Sequence, residues 1–239
     1  MGRKMSQELA IEPATKKEYQ RPAVTVDVLL FTILDDELKL LLVSRGAEPY
    51  KGMLALPGGF VKMDESLDDA ARRELREETG IDDVYIEQLY TFGAPNRDPR
   101  TRVVTVAYIA LIDGSRVRLQ ASTDADDAAW FPVKKLPALA FDHSQIVETG
   151  ISRLRSKLSY SSIAYSVLPT EFRLSELQKV YEIILDKPLD KRNFRKKMLS
   201  LKDPQDRQLI KPTGDKEISG AHRPAMLYRF THKKLTFFE

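Results

Sequence analysis

Cysteine is absent from the 239 residues. That excludes a disulfide scaffold, thiolate metal sites and cysteine nucleophiles. Long apolar runs are also missing. The longest nearly apolar stretch, Val103 to Ile112, is far short of the roughly 20 residues that a bilayer-spanning helix needs. The first twenty residues are polar and charged, with no apolar segment of the kind a secretory signal carries. Internal repeats and low-complexity tracts are lacking too. These absences lead us to expect a cytoplasmic protein with no membrane association. What remains is 42% hydrophobic and 31% charged, a composition able to build real cores. The length allows one large domain or two ordinary ones.

Charge is unevenly placed. Residues 1–150 carry 19 basic and 25 acidic side chains, whereas residues 151–239 carry 19 basic and 10 acidic. The net charges are −6 and +9, beneath a total of +3. A basic C-terminal part behind an acidic N-terminal part suggests a polyanion-binding module attached to something else.

Hydropathy patterning predicts a flexible lead over 1–20 and a strand over Ala23–Leu34. A turn at Asp35-Asp36-Glu37 leads to a partner strand over Leu38–Ser44. A Pro/Gly-rich loop reaches Gly59. A helix follows over Leu67–Thr79, with Ser66 and Asp69 as its capping box and Gly80 as its stop. Further strands are expected at Val84–Phe92, Val103–Ile112, Val117–Gln120 and Ala128–Pro132. Strands gathered around an early helix favour an α+β fold over regular βαβ alternation. After Leu136-Pro137 the pattern turns helical. A connecting helix is expected over Phe141–Leu158, interrupted near Gly150. An amphipathic helix follows over Ser175–Leu185, capped by Ser175 with Gln178, and another over Asp190–Leu201. Two strands around a Gly-containing turn close the chain within Gln208–Phe230. The implied division is 1–20 lead, 21–140 first domain, 141–160 connecting helix and 161–239 second domain.

The segment Gly59–Ile81 carries the chemistry. Glu74, Glu77 and Glu78 stand at i, i+3 and i+4, on one helical face within about 6 Å of each other. Like charges so close repel unless a cation joins them, and hard oxygen donors suit Mg²⁺ or Mn²⁺. A Glu-rich stripe on its own is also compatible with a solvated face. Arg73 and Arg76 can orient the cluster, Ala71 and Leu75 face the core, and Gly58 and Gly59 let the preceding loop pass close by. Arg97 and Arg100 lie in a turn and can clamp phosphates, although an exposed hairpin turn accounts for them equally well. Asp124, Asp126 and Asp127 form an acidic loop that can supply a base, although a capped turn accounts for them better.

The whole segment resembles the Nudix box. Gly59, Glu65, Arg73, Glu74, Leu75, Glu77, Glu78, Gly80 and Ile81 fill every position of that pattern. The chance of this is roughly one in a hundred million per start position from average residue usage. Arg45, Pro49, Gly52, Leu56, Pro57 and Gly58 fit the lead-in to the box, while Leu54 departs where many members place Trp. The resemblance implies an α/β/α sandwich and Mg²⁺-dependent attack of water on a diphosphate linked to a nucleoside. Glu74 and Glu78 would be the main metal ligands, with Glu77 helping and Glu65 supporting. Catalytic roles would fall to Glu77, Glu78, Glu74 and Arg73. Ligand contacts would come from Arg45, Gly58, Gly59, Arg97 and Arg100.

The basic segment Lys191–Lys197 lies on the second of two helices joined by a Pro-containing turn, a plausible helix-turn-helix. Arg192, Asn193, Arg195, Lys196 and Lys197 would face duplex DNA, and the following hairpin, with His222 and Arg223, would be a wing. The combination resembles Nudix-related transcriptional regulators with a C-terminal winged helix-turn-helix, repressors of NAD-synthesis genes. Leu139-Ala140-Phe141-Asp142-His143, the Phe194-Arg195 pair, Arg223-Pro224-Ala225 and Leu227-Tyr228-Arg229-Phe230 carry that likeness. It implies a homodimer, a palindromic double-stranded DNA operator and ADP-ribose or a related nucleotide as the effector that releases DNA. Relatives with other effectors, sugars among them, share the architecture. An active ADP-ribose pyrophosphatase is a compatible alternative, and an RNA-processing enzyme a third reading.

Overall fold

The computed structural model describes residues 21–82, 84–114, 128–217, 225–232 and 234–238. The expected lead over 1–20, the strand at Val117–Gln120, the acidic loop at Asp124, Asp126 and Asp127, the Gly-containing turn, and His222 and Arg223 lie outside the described residues.

The first half is built on a mixed sheet. Strand β1 (Ala23–Leu34) turns at Asp35 and Asp36 into β2 (Glu37–Ser44), both aspartates with positive φ of 53° and 61°. Positive φ at both central residues suits a tight hairpin, and Asp tolerates it better than most residues. Short strands β3 (Leu54–Ala55) and β4 (Gly58–Phe60) lead into helix α1 (Leu67–Thr79), then β5 (Glu87–Phe92), β6 (Val103–Ile112) and β7 (Ala128–Pro132). The sheet order is β3-β2-β1-β6-β5, with β4 on β1 and β7 on β2. Only β1 and β6 run parallel, in register from Ala23 opposite Val103 to Thr32 opposite Ile112.

Side-chain alternation along β1 makes three layers. Val26, Val28 and Leu30 pack with Ala70, Ala71 and Leu75 of α1. Leu29 and Phe31 point the other way, toward Ile146, Val147 and Leu154 of helix α2 (His143–Lys157). Each such aliphatic or aromatic side chain contributes about 1.5–3 kcal/mol on full burial. The expected α/β/α sandwich is therefore present. Helix α1 has the expected bounds. Ser66 Oγ accepts the Asp69 N–H at 3.1 Å, and Gly80 closes the helix at φ 71°.

Local expectations need correction, and the loop expected up to Gly59 contains strands β3 and β4. Helix α2 runs unbroken through Gly150, because that glycine serves packing: a Cβ there would lie 2.4 Å from Leu29 Cδ2. The strand expected from Val84 starts at Glu87. Helix α3 (Leu174–Leu185) is capped by Arg173, whose N–H donates to Glu176 at 2.7 Å, rather than by Ser175 with Gln178.

The C-terminal part has winged-helix order. Strand β8 (Phe172–Arg173) precedes α3. Helix α4 (Lys191–Ser200) begins at Asp190, whose carboxylate accepts the Asn193 N–H at 2.8 Å. Strands β9 (Ile210–Glu217) and β10 (Ala225–Phe230) complete a sheet of order β8-β10-β9. Leu177, Val180, Tyr181 and Ile184 of α3 pack with Phe194 and Met198 of α4 in the same apolar cluster that α2 enters. No helix among the described residues is long and apolar enough to cross a membrane.

Candidate functional site

Arg73 organises the acidic face of α1. Its guanidinium donates to Glu65 at 2.6 and 2.9 Å, to Glu74 at 2.7 Å, to Glu77 at 3.0 Å and to the Phe60 carbonyl at 3.2 Å. Hydrogen bonding to Arg73 holds the Glu65 carboxyl down at about 2. Both Glu65 oxygens are thereby engaged, so in this structure Glu65 supports the cluster through Arg73. Arg73 is itself held more firmly protonated, chiefly by Glu65.

Glu78 lies deeper. Its carboxylate accepts the Gly58 N–H at 2.9 Å, and burial pushes its pKa up to about 8, with Glu74 and Asp27 adding to the effect. The Glu74 carboxyl is also raised, first by burial. Gly59 lies against it: a Cβ there would fall 2.3 Å from Glu74 Oε1. Gly58 likewise meets β1 so closely that a Cβ would sit 2.2 Å from the Val26 carbonyl. A glycine pair thus forms a cradle that puts two costly buried carboxyls beside bare backbone. Hard oxygen donors whose charge is disfavoured by burial and mutual repulsion fit a divalent cation. Glu77 is half exposed and turned to Arg73, and among the described residues no three acidic or imidazole side chains converge to ligating geometry.

Beside the cradle opens a cleft of about 190 Å³, walled by Gly58, Gly59, Phe60, Arg45, Arg100, Phe141 and His143. The Arg45 guanidinium lies 4.6 Å over the Phe141 ring, and Arg100 lies 5.7 Å from Phe141 and 5.4 Å from Phe60. Arg100 is also paired with Asp98 at 2.7 Å. Arg97 departs from expectation. It is buried, donates to Asp142 at 2.7 and 3.0 Å, and lies 3.4 Å from Asp27. Two carboxylates pair with it, so in this structure it braces the cleft wall that it helps to line.

Sequence reasoning passed over Asp27, Phe60 and Asp142 as site residues. Asp27 had a signal: it is the single acidic residue inside the otherwise apolar or β-branched run of β1.

In the second half, α4 buries Phe194 and Met198 and leaves Lys191, Arg192, Asn193, Arg195, Lys196 and Lys197 exposed. Its polar surface has three sides. Lys191 and Arg195 face a groove shared with Arg173, Ser175 and Met226, and Arg195 donates to Tyr228 Oη at 3.4 Å. Asn193 and Lys197 face a second groove, against Arg155 and Leu158 of the α2 end. Arg192 and Lys196, opposite the buried stripe, lie outermost. Asn193 is therefore turned toward α2 more than the expected DNA face allowed.

Comparison with known proteins agrees with both halves. Residues 23–150 match the NUDIX domain, and residues 164–230 match the NrtR DNA-binding winged helix domain. The "ADPR responsive transcriptional repressor NtrR" of Acinetobacter baylyi is 37% identical over 226 residues, covering 93% of this chain and 87% of that protein. The chain belongs to the NrtR family. The crystal structure of Shewanella oneidensis NrtR complexed with a 27mer DNA matches at TM-score 0.72 and 39% identity, over 87% of this chain and 93% of that one. The NUDIX domain of S. oneidensis NrtR complexed with ADP ribose matches at TM-score 0.53 and 41% identity, over 59% of this chain and 93% of that one. The NrtR relatives thus include an ADP-ribose-responsive repressor, a DNA complex and an ADP-ribose-bound Nudix domain.

Proposed function

We propose that this NrtR-family chain is a transcriptional repressor of NAD-metabolism genes. ADP-ribose or a related nucleotide in the Nudix cleft would control its hold on a double-stranded DNA operator. The observation that carries the reading is the pairing, in one chain, of an outward basic helix with a cleft where two arginines face a glycine-lined carboxylate cradle. Arg45 and Arg100 suit the diphosphate, and Phe60 and Phe141 give the cleft aromatic walls. Glu74 and Glu78, with help from Glu77, would hold Mg²⁺ or Mn²⁺, which when bound neutralises phosphate charge. Arg192, Lys196 and Arg195 would approach the duplex. A homodimer would set two such helices roughly 34 Å apart, one turn of DNA. The division into 21–140, 141–160 and 161–239 and a cytoplasmic site of action belong to the same reading. Gel shifts of the protein's own upstream region, with and without ADP-ribose, test it. Specific retardation that ADP-ribose relieves is the expected result, and no specific binding at moderate salt would sink the reading.

A second reading is favoured by the unbroken box and by Glu77 within it, which is half exposed. The chain would also hydrolyse ADP-ribose, water attacking phosphorus to give AMP and ribose 5-phosphate. Glu77 would serve as the base, and Arg73 and Glu65 hold the face in place. AMP release with Mg²⁺ or Mn²⁺ should then fall in Glu77→Gln and Glu78→Gln. Turnover untouched by either change rejects this site.

A further inference from the structure

Helix α2 begins in the cleft wall and ends against the DNA-reading pair of helices. Phe141 and His143 line the cleft. Asp142 between them is the helix N-cap residue and takes both hydrogen bonds from Arg97. His143 Nδ1 accepts the Leu56 N–H at 2.9 Å, and its Nε2 lies 3.4 Å from Asp27. Phe141 has φ of 53°, uncommon for a bulky side chain, and its ring lies under Arg45 and beside Arg100. The two guanidiniums best placed to meet an anionic ligand therefore also hold the residue just before the N-cap of α2.

The far end of α2 is joined to α3. Arg155 Nε donates to the Ile184 carbonyl at 3.0 Å, and Leu154 and Leu158 share an apolar cluster with Tyr181 and Ile184. Near mid-helix, Gly150 brings α2 hard against Leu29 of β1. Outside that joint, the charged ties between α3 and the Nudix half include Lys179 with Asp36 and Lys134 with Asp186, all half exposed or more. Exposed pairs of this kind contribute little. The joint to α2 thus adds a hydrogen bond and buried apolar contact to those charged ties.

We propose that α2 is the lever between the two sites and that Asp142 is its positioning residue. The inference rests on the functional reading above. A bound diphosphate draws Arg45 and Arg100 off the Phe141 ring. The strained turn before α2 then relaxes, the Arg97–Asp142 pair shifts the helix start, and α2 carries α3 and α4 with it about the Gly150 contact. Coupling of this kind needs one element whose two arrangements both ligands bias.

The test uses the full-length protein, ADP-ribose with Mg²⁺, and the tightest duplex that the unsubstituted protein selects from a random pool. The readout is the ratio of duplex Kd with and without saturating ADP-ribose. Asp142→Asn keeps the size and shape of the side chain but breaks the charge pair with Arg97. It should cut that ratio about tenfold, while ligand-free duplex Kd stays within about threefold. Arg155→Ala, remote from the cleft and the outer face of α4, should have the same effect, and Arg155→Lys should restore part of it. Should Asp142→Asn misfold, the Arg155 pair decides. A ratio unchanged in these variants overturns the lever and leaves the repressor reading standing. An unsubstituted protein whose duplex binding ignores ADP-ribose overturns both.

Discussion

Gly59→Ala is the sharpest probe of the carboxylate cradle. The new methyl would sit 2.3 Å from Glu74 Oε1 and 2.9 Å from Oε2, where ordinary contact begins at 3.4 Å. The carboxylate must therefore retreat by about 1 Å, since the backbone of β4 is fixed by its pairing with β1. A small divalent cation demands oxygen at about 2.0–2.1 Å, so a retreat of that size removes one ligand from the set. Losses from disturbing a metal site in this way run about 10–100-fold, or ~1.4–2.8 kcal/mol. Titration calorimetry of Mn²⁺ in the presence of ADP-ribose would read it directly. Gly93→Ala is the matched control, because its Cβ would find neighbours only at 3.7 Å and beyond. If Gly59→Ala binds Mn²⁺ as tightly as Gly93→Ala, Glu74 is not a ligand and the cradle argument fails.

Other expectations follow from the same contacts. Gly150→Ala should lower the melting temperature by several degrees: overpacking against Leu29 costs about 1–3 kcal/mol, against a helix-propensity gain of at most ~1 kcal/mol. A Gly150→Ala protein as stable as the parent would show that Leu29 yields freely. Burial lowers the His143 pKa from 6.5. The folded state therefore takes up fewer protons than the unfolded one, and this contribution is complete above pH 6.5 and lost as pH falls below it. His143→Asn, which keeps an acceptor for Leu56, should melt with a shallower decline between pH 6.5 and 5.5. Glu78 acts in the opposite sense, its raised pKa costing stability as pH rises from 4.5 to about 8, and this is common to both proteins. An identical decline in the two would remove His143 from the account. Arg192→Gln and Lys196→Gln should each lower the slope of log Kd against log salt by about 1 if they meet phosphates. Asn193→Ala, turned toward α2, should leave duplex Kd unchanged, and a loss of about tenfold or more there would reassign the DNA face.

Much of the site was readable before any fold was known, because its geometry is local. Helical pitch alone puts Glu74, Glu77 and Glu78 on one face, and Ser66 and Gly80 mark the helix ends whatever packs around them. The same holds for α4, where the Phe194/Met198 stripe decides which basic residues face out. Arg97 shows the limit. As a turn residue beside Arg100 it looked like a second phosphate clamp, yet its partners are Asp142 and Asp27, 45 and 70 positions away. Gly150 is a second case: a mid-helix glycine looks like a break until Leu29 is seen against it.

Sequence by itself therefore determined the longer elements, the acidic face and the basic face, since each depends on spacing within a single helix or strand. Only tertiary structure decided which charges remain open to a ligand. Partner choice depends on how β1, the loop at Arg97 and the start of α2 meet in space, and no short-range pattern encodes that meeting. It also decided that the cleft wall and the first turn of α2 are the same residues, which makes a mechanical link between the two halves possible.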